Sequence, residues 1–448
     1  MNERVELRID GLSHDGQGVG RLDGQACFVP GALPGERVAV RLHSRAHRLR
    51  LAVLERVLEP SADRRRPPCI LADHCGGCSL QHLDDPAQAD WKRSRLVETL
   101  RRLAHLDPIV APTLASPQPL GYRNRAIIPL ERLPEGPLRA GYYRRGSHRI
   151  VNMNRCPVLD PRLDALIAPL KADLEISGWP VDRDLRDGGG LRHLSLRVGH
   201  HTGEVLLTLI SSHDEFPDLA DWAQRWLDRW PTLVGVTLNL QPRPTNTLMG
   251  PQTTLVAGRS WLMERFSGLD LRIATDTFFQ VHTTQAERVV TLLLAALAAE
   301  TPGVLVDAYC GIGTFSLPLA AAGWTVHGIE RNAEAIRLAR INAEINTLTD
   351  RARFETANVA EILEARLTGC DALLVDPPRK GLDPTVLRLI RQCPPASLLY
   401  LSCDPATLAR DLGQLVEGGL YAIASVQPLD FFPQTSHIET LAVLRRTG

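Results

Sequence analysis

Asp307-Ala308-Tyr309-Cys310-Gly311-Ile312-Gly313-Thr314 closes an apolar run, Val304 to Ala308, and leads into a helical pattern at Phe315. A short apolar run ending in glycines reads as a strand buried on both faces, whose carboxyl end lets backbone approach a ligand closely. Four similar runs follow: Thr325 to Ile329, Arg353 to Thr356, Ala372 to Val375 and Leu398 to Leu401, each with a helical pattern behind it. This alternation predicts an α/β domain built on a parallel sheet over residues 276–448. Glu330 ends the second run, where its carboxylate can accept hydrogen bonds from ribose hydroxyls. The third glycine of the dinucleotide fingerprint is missing, so no pyrophosphate cradle is expected. A ligand with a ribose and a cationic amino acid, such as S-adenosylmethionine, suits these carboxylates better than NAD.

The same strand ends carry further chemistry. Asp376-Pro377-Pro378-Arg379-Lys380-Gly381 is a stiff, non-helical stretch in which Asp376 and nearby carbonyls can face a ligand. Leu401-Ser402-Cys403-Asp404-Pro405 closes the fifth strand, and Cys403 is the candidate nucleophile if the fourth and fifth strands are neighbours. Phe432-Pro433-Gln434-Thr435-Ser436-His437-Ile438-Glu439-Thr440 places a carboxylate, Glu439, just before a last strand at Leu441 to Leu444; His437 is read as structural. A second constellation is Cys69-x5-Cys75-x2-Cys78 with Cys156 much later. Three clustered thiolates and a distant fourth suit either zinc or an iron-sulfur cluster. Cys310 falls inside the glycine turn, and Cys27, Cys370 and Cys393 read as packing or surface residues.

The 448 residues carry 51 Lys+Arg against 51 Asp+Glu, which excludes an overall basic coat, so any polyanion site is local. Eight arginines against three acids between Arg41 and Arg66, and eight against Glu131 and Glu135 between Arg123 and Arg155, supply such sites. Tyr122, Tyr142 and Tyr143 interleave with the second set, and guanidinium groups with aromatic rings suit unpaired RNA. Residues 301–448 hold 13 cations and 16 acids, which puts binding in front and chemistry behind. Residues 1–60 alternate as short strands with glycine turns and read as a compact β-barrel. Residues 61–275 read as an α+β region, with helices expected at 87–103, 161–176 and 219–229. No apolar run reaches the eighteen or so residues of a membrane helix. The start, Met1 to Glu6, carries acids rather than a signal's apolar block, and the odd cysteine count is no disulfide framework, so a cytoplasmic protein is expected.

Taken together, these motifs resemble the bacterial 23S ribosomal RNA uracil-5-methyltransferases that carry an N-terminal TRAM domain and a [4Fe-4S] cluster. The matching features are the barrel-like start, the cysteine triplet with its distant fourth, Phe279-Gln280, the Asp307 to Gly313 turn, Asp376 to Gly381, Leu401 to Pro405 and the Phe432 to Glu439 tail. The resemblance implies a C-terminal Rossmann-like methyltransferase domain behind an OB-like TRAM barrel and a central α+β domain. It further implies that Cys69, Cys75, Cys78 and Cys156 hold the cluster, and that Gln280, Tyr309, Thr314, Glu330, Asn358 and Asp376 meet S-adenosylmethionine. Cys403 would be the nucleophile and Glu439 the base. His282 and Thr314 depart from the family pattern, each standing where Asn is usual. The implied partner is 23S rRNA, through an unpaired or flipped uridine; transfer RNA is the alternative substrate, and a monomer is expected.

Overall fold

The structure, a computed structural model, describes residues 3–46, 49–132, 136–185, 188–243, 245 and 247–448. Met1, Asn2, Arg48, Glu135 and the Arg45 side chain lie outside the described residues.

The first five strands, β1 (Arg4–Leu12), β2 (Gly18–Leu22), β3 (Gln25–Val29), β4 (Arg37–Ala46) and β5 (Leu49–Glu59), close into a barrel in the order β1-β2-β3-β5-β4. Alternate residues such as Leu7, Ile9, Val38 and Val40 fill its interior, so period-two patterning gives closure. The basic segment here carries less free charge than its arginine count suggests. Arg41 pairs with Glu55 at 3.0 Å, Arg50 with Asp23 at 3.1 Å, Arg65 with Asp85 at 2.7 Å, and Arg64 with the fully buried Glu36.

After the cysteine triplet comes α1 (Asp85–Ala104), started by the Asp84 side chain accepting from the Ala87 amide at 2.8 Å. The central unit follows: β6 (Arg125–Arg132), β7 (Leu138–Ala140), α2 (Pro161–Ile176), β8 (Leu191–Val198), β9 (Val205–Ser211), α3 (Leu219–Arg229), β10 (Leu233–Leu240) and β11 (Gln252–Gly258). These strands form a six-stranded sheet, β11-β10-β9-β8-β6-β7, covered by α2 and α3. A hairpin, β12 (Trp261–Phe266) and β13 (Leu269–Ala274), leads into α4 (Thr283–Leu297).

The catalytic half contains β14 (Val304–Ala308), α5 (Ser316–Ala321), β15 (Thr325–Glu330), α6 (Ala333–Ile345), β16 (Ala352–Thr356), α7 (Val359–Leu367), β17 (Ala372–Val375), α8 (Pro384–Gln392), β18 (Ser397–Ser402), α9 (Pro405–Val416), β19 (Tyr421–Leu429) and β20 (Glu439–Arg446). Its seven strands run β16-β15-β14-β17-β18-β20-β19, the first five parallel and β20 antiparallel to both neighbours. Leu305, Leu374 and Leu399 point into one core layer while Val306, Leu373 and Leu398 point into the other, which is why the strands read as unbroken apolar runs. The order reverses at β14 and β17, the switch point where open α/β sheets bind ligands.

Two segments pack across the boundaries read from sequence. α1, inside the 61–275 region, sets Leu96 and Leu100 into the catalytic layer beneath α9, and the β12–β13 hairpin, before residue 276, buries Phe266 and Ile273 in the other catalytic layer. Among the described residues no helix is long and apolar enough to cross a membrane.

Candidate active site

At the carboxyl edge of the seven-stranded sheet a cleft of about 830 Å³ opens, a volume suited to a small-molecule ligand. Strand register puts its chemistry in one row. Ala308 stands beside both Ile329 and Val375, so Tyr309, Glu330 and Asp376 emerge side by side from β14, β15 and β17. β17 and β18 are neighbours, and Ser402 pairs with Thr440 across β18 and β20. One residue farther along that antiparallel register, Cys403 meets Glu439. All five side chains line the cleft, together with Gln280 and Asn358.

Local structure fixes these positions. Tyr309 holds φ at +76°, a left-handed conformation costly for a side-chain-bearing residue, and its amide donates to the Ile329 carbonyl at 2.9 Å. The buried Asn342 donates to the Ile312 carbonyl at 3.2 Å and ties down the glycine turn. Asn358 caps α7 by accepting from the Ala360 amide at 3.2 Å, while Asp404 caps α9 through the Ala406 and Thr407 amides. Gln280 donates to Asp376 at 3.4 Å.

The cleft disfavours negative charge. Burial, then the nearby Glu439 and Asp376 carboxylates, push the Cys403 thiol up to about 12, with Arg379 pulling the other way. Glu439 is held well above the usual carboxylate range by burial and by Asp376, again opposed by Arg379. Burial and Asp307 raise Asp376 to about 7; burial, then Glu330, raise Asp307 to about 7 against the Ser316 hydroxyl that donates to it. A cationic ligand relieves this clustering of acids.

Several expected residues sit differently. Thr314 is off the cleft wall, because the +85° φ of Gly313 turns the chain inward and buries the threonine at the start of α5; Gly311 faces the cleft instead. His437, read as structural, lines the cleft with its Nδ1 3.5 Å from Arg379 and its ring 5.5 Å from Phe432. Of the two phenylalanines before Gln280, Phe279 is buried against Phe266, and the exposed Phe278 reaches the cleft. Phe278, Arg331, Arg379, Lys380, Phe432 and His437 were not assigned from sequence; a charged or aromatic residue beside an assigned one was the available signal. His282 is buried, caps α4 and stacks on Tyr122 at 4.8 Å, so this departure from the family pattern serves packing. Tyr122 is likewise a core residue, its hydroxyl donating to the Pro433 carbonyl at 3.1 Å, and cannot stack on RNA.

The four cysteines of the second constellation form a module beside this site. Burial first, and then the other cysteines, raise Cys78 to about 11 against a Gln81 hydrogen bond that lowers it, and raise Cys156 to about 12. The Gly77 amide donates to the Cys75 sulfur at 3.4 Å, and Cys75 bridges to Arg144 as a single β-pair. Among the described residues no group of three or more His, Cys, Asp and Glu side chains is spaced to hold a metal ion.

Comparison with known proteins places this geometry. The TRAM domain model matches residues 2–46, and the tRNA (uracil-5-)-methyltransferase model matches residues 259–447. A protein of Parasynechococcus marenigrum named as an RNA methyltransferase is 53% identical over 99% of this chain and 96% of its own length. The chain belongs to the RNA uracil-5-methyltransferase family. Within that family, a similarly named Synechocystis protein is 46% identical over 98% of this chain and 95% of the relative. The crystal structure of Pyrococcus abyssi tRNA (uracil-54, C5)-methyltransferase with S-adenosyl-L-homocysteine matches 98% of this chain and 99% of its own, at 29% identity and a TM-score of 0.79. The cleft is therefore that of an S-adenosylmethionine-dependent RNA methyltransferase, with a TRAM domain at its front. Because the archaeal tRNA enzyme matches nearly the whole chain, the barrel does not by itself distinguish a ribosomal from a transfer-RNA substrate.

Proposed function

We propose that this enzyme methylates C5 of one uridine in 23S rRNA through a covalent adduct on Cys403. The observation that carries the reading is the register that brings Cys403 and Glu439 together at the cleft, with Arg379 beside both. C5 of uracil is a weak nucleophile. The Cys403 thiol gives its proton to solvent, with Arg379 and the cationic ligand offsetting the acids that hold it protonated, and its sulfur adds to C6, moving an electron pair onto C5 and the C4 carbonyl oxygen, which makes C5 reactive. S-adenosylmethionine, when bound, supplies an electrophilic methyl carbon, and Gln280, Tyr309, Glu330, Asn358 and Asp376 are the residues that would hold it. After methylation, C5 is tetrahedral with one hydrogen too many. Glu439, whose raised proton affinity makes it a strong base once Arg379 holds it as carboxylate, takes that proton, the C5–C6 double bond re-forms and the Cys403 sulfur leaves.

Cys69, Cys75, Cys78 and Cys156 are the residues that would hold a [4Fe-4S] cluster. The all-thiol donor set, the mutual influence of the four groups and the N–H···S contact support this. Iron and sulfide analysis of anaerobically purified protein tests this, and stoichiometric zinc without iron contradicts it. A cytoplasmic address accords with free thiols and an RNA substrate.

The target RNA is tested by methyl transfer to purified, unmodified 23S rRNA and tRNA in parallel, followed by mapping of the labelled nucleotide. Label in one 23S position is expected. Exclusive labelling of tRNA, which the match to the archaeal tRNA enzyme favours as the second reading, overturns the choice of substrate but not the chemistry.

A further inference from the structure

The connection between β19 and β20, residues 430–438, builds part of the cleft wall through Phe432 and His437 and delivers the chain to Glu439. A nine-residue connection at a sheet end is ordinarily mobile. This one is fastened along its length to the segment after the cysteine triplet and to α1. Gln434 is at the centre. It is fully buried and holds φ at +71°, a left-handed conformation that a residue other than glycine keeps only when its surroundings impose it.

Every polar group of Gln434 is engaged. Its amide N–H donates to Gln88 Oε1 at 2.9 Å, and its carbonyl accepts from the Leu80 amide at 2.9 Å. Its side-chain oxygen accepts from Arg65 at 2.7 Å and from Gln88 at 3.2 Å. Its side-chain nitrogen donates to Asp85 at 3.0 Å and to the Pro119 carbonyl at 3.3 Å. Flanking contacts run the same way: Lys92 to the Phe432 carbonyl at 3.1 Å, the Ser436 amide to Ser79 at 3.1 Å, and Arg95 to the Ser436 carbonyl at 2.6 Å. Ser79 and Leu80 directly follow Cys78, so the cysteine module and this cleft wall are one hydrogen-bonded unit. The S-adenosylmethionine side of the cleft, from Tyr309, Glu330 and Asn358, stands on β14, β15 and α7, and among the described residues the hydrogen bonds of Gln434 do not reach those three.

We propose that Gln434 is a positioning residue for the nucleobase half of the cleft, locking residues 430–438 onto α1 and the cysteine module so that Phe432 and His437 hold the pyrimidine against Cys403. The inference rests on the proposed role of Cys403, and the experiment separates the two. The rate of covalent adduct formation with 5-fluorouridine-substituted RNA is measured at saturating S-adenosylmethionine and well below the melting temperature, alongside S-adenosylhomocysteine affinity by calorimetry. Gln434→Ala, and the milder Asp85→Ala should the first fold poorly, is expected to slow the adduct by about tenfold or more, since ångström-scale misplacement has effects of that order, with homocysteine-ligand affinity within about twofold of the parent. Gln434→Glu, which sets a carboxylate against Asp85, should be slow, and adding Asp85→Asn should recover much of the rate. An unchanged rate in Gln434→Ala and Asp85→Ala overturns the proposal. So does a parallel fall in ligand affinity and rate, which marks a general loss of fold, or no recovery in the double exchange. If Cys403→Ala still forms the adduct, the nucleophile assignment falls instead, whatever Gln434 does.

Discussion

A cluster of acids and a thiol in one cleft sets the behaviour of single residues. Glu439→Gln keeps the shape but cannot take the C5 proton. Its turnover should drop by about 100-fold or more, while a covalent protein–RNA species builds up on ordinary uridine RNA, seen as a band resistant to denaturing electrophoresis. Asp307 and Asp376 make a different prediction. Both carboxyls are raised to about 7 in the fold from an ordinary 3.8, so the folded chain keeps protons that the unfolded chain releases. The stability they give is complete below about pH 4 and is lost as pH rises towards 7, levelling off above it. Thermal melts of the ligand-free protein should show that decline, and Asp307→Asn should flatten it; an unchanged pH slope in the variant contradicts the assignment. The residue scale is also where sequence reading was weakest. Cys403 and Asp376 were placed at the cleft because they follow parallel strands, and Glu439 because it opens a strand antiparallel to them, so the three come to one edge of the sheet. Thr314 is buried off the cleft wall and His437 lies on it, because the direction of a side chain at a loop is decided by backbone geometry and distant hydrogen bonds that residue order does not display.

Elements were far more legible, for a physical reason. β14, β17 and β18 are buried on both faces and advertise themselves as apolar runs, and α2 and α3 start and stop where the sequence pattern places them. Partnership between distant elements was not visible. α1 reads, at 87–103, as a helix of the central region, yet it packs on α9 and carries Lys92, whose ammonium is fully buried 2.6 Å from Asp430. No local pattern announces a contact between chain positions so far apart. Removing one partner of such a pair leaves a charge without compensation, so Lys92→Ala should lower stability by roughly 3–5 kcal/mol. Denaturant titration checks this, and Lys92→Met with Asp430→Leu should lose less than the single variant. A loss below about 1 kcal/mol, typical of an exposed pair, contradicts the buried bridge.

On the scale of the whole molecule, net charge is zero, and RNA attraction must come from where the unpaired arginines lie. The barrel spends several of its arginines on internal ion pairs, whereas Arg144, Arg145, Arg149 and Arg155 are exposed around the cysteine module. A phosphate backbone is expected to run over that face. Changing Arg144, Arg145 and Arg149 to Gln should weaken RNA binding and reduce the salt slope by about one for each phosphate no longer neutralised, with no change in S-adenosylhomocysteine affinity. An unchanged slope moves the RNA track elsewhere.

The most direct test of the account is peptide mass spectrometry after the protein has reacted with 5-fluorouridine-substituted RNA and S-adenosylmethionine. A methylated fluoropyrimidine attached to the peptide at Cys403, absent from Cys403→Ala, is the predicted result. Attachment at another residue, or undiminished methylation of RNA by Cys403→Ala, contradicts it.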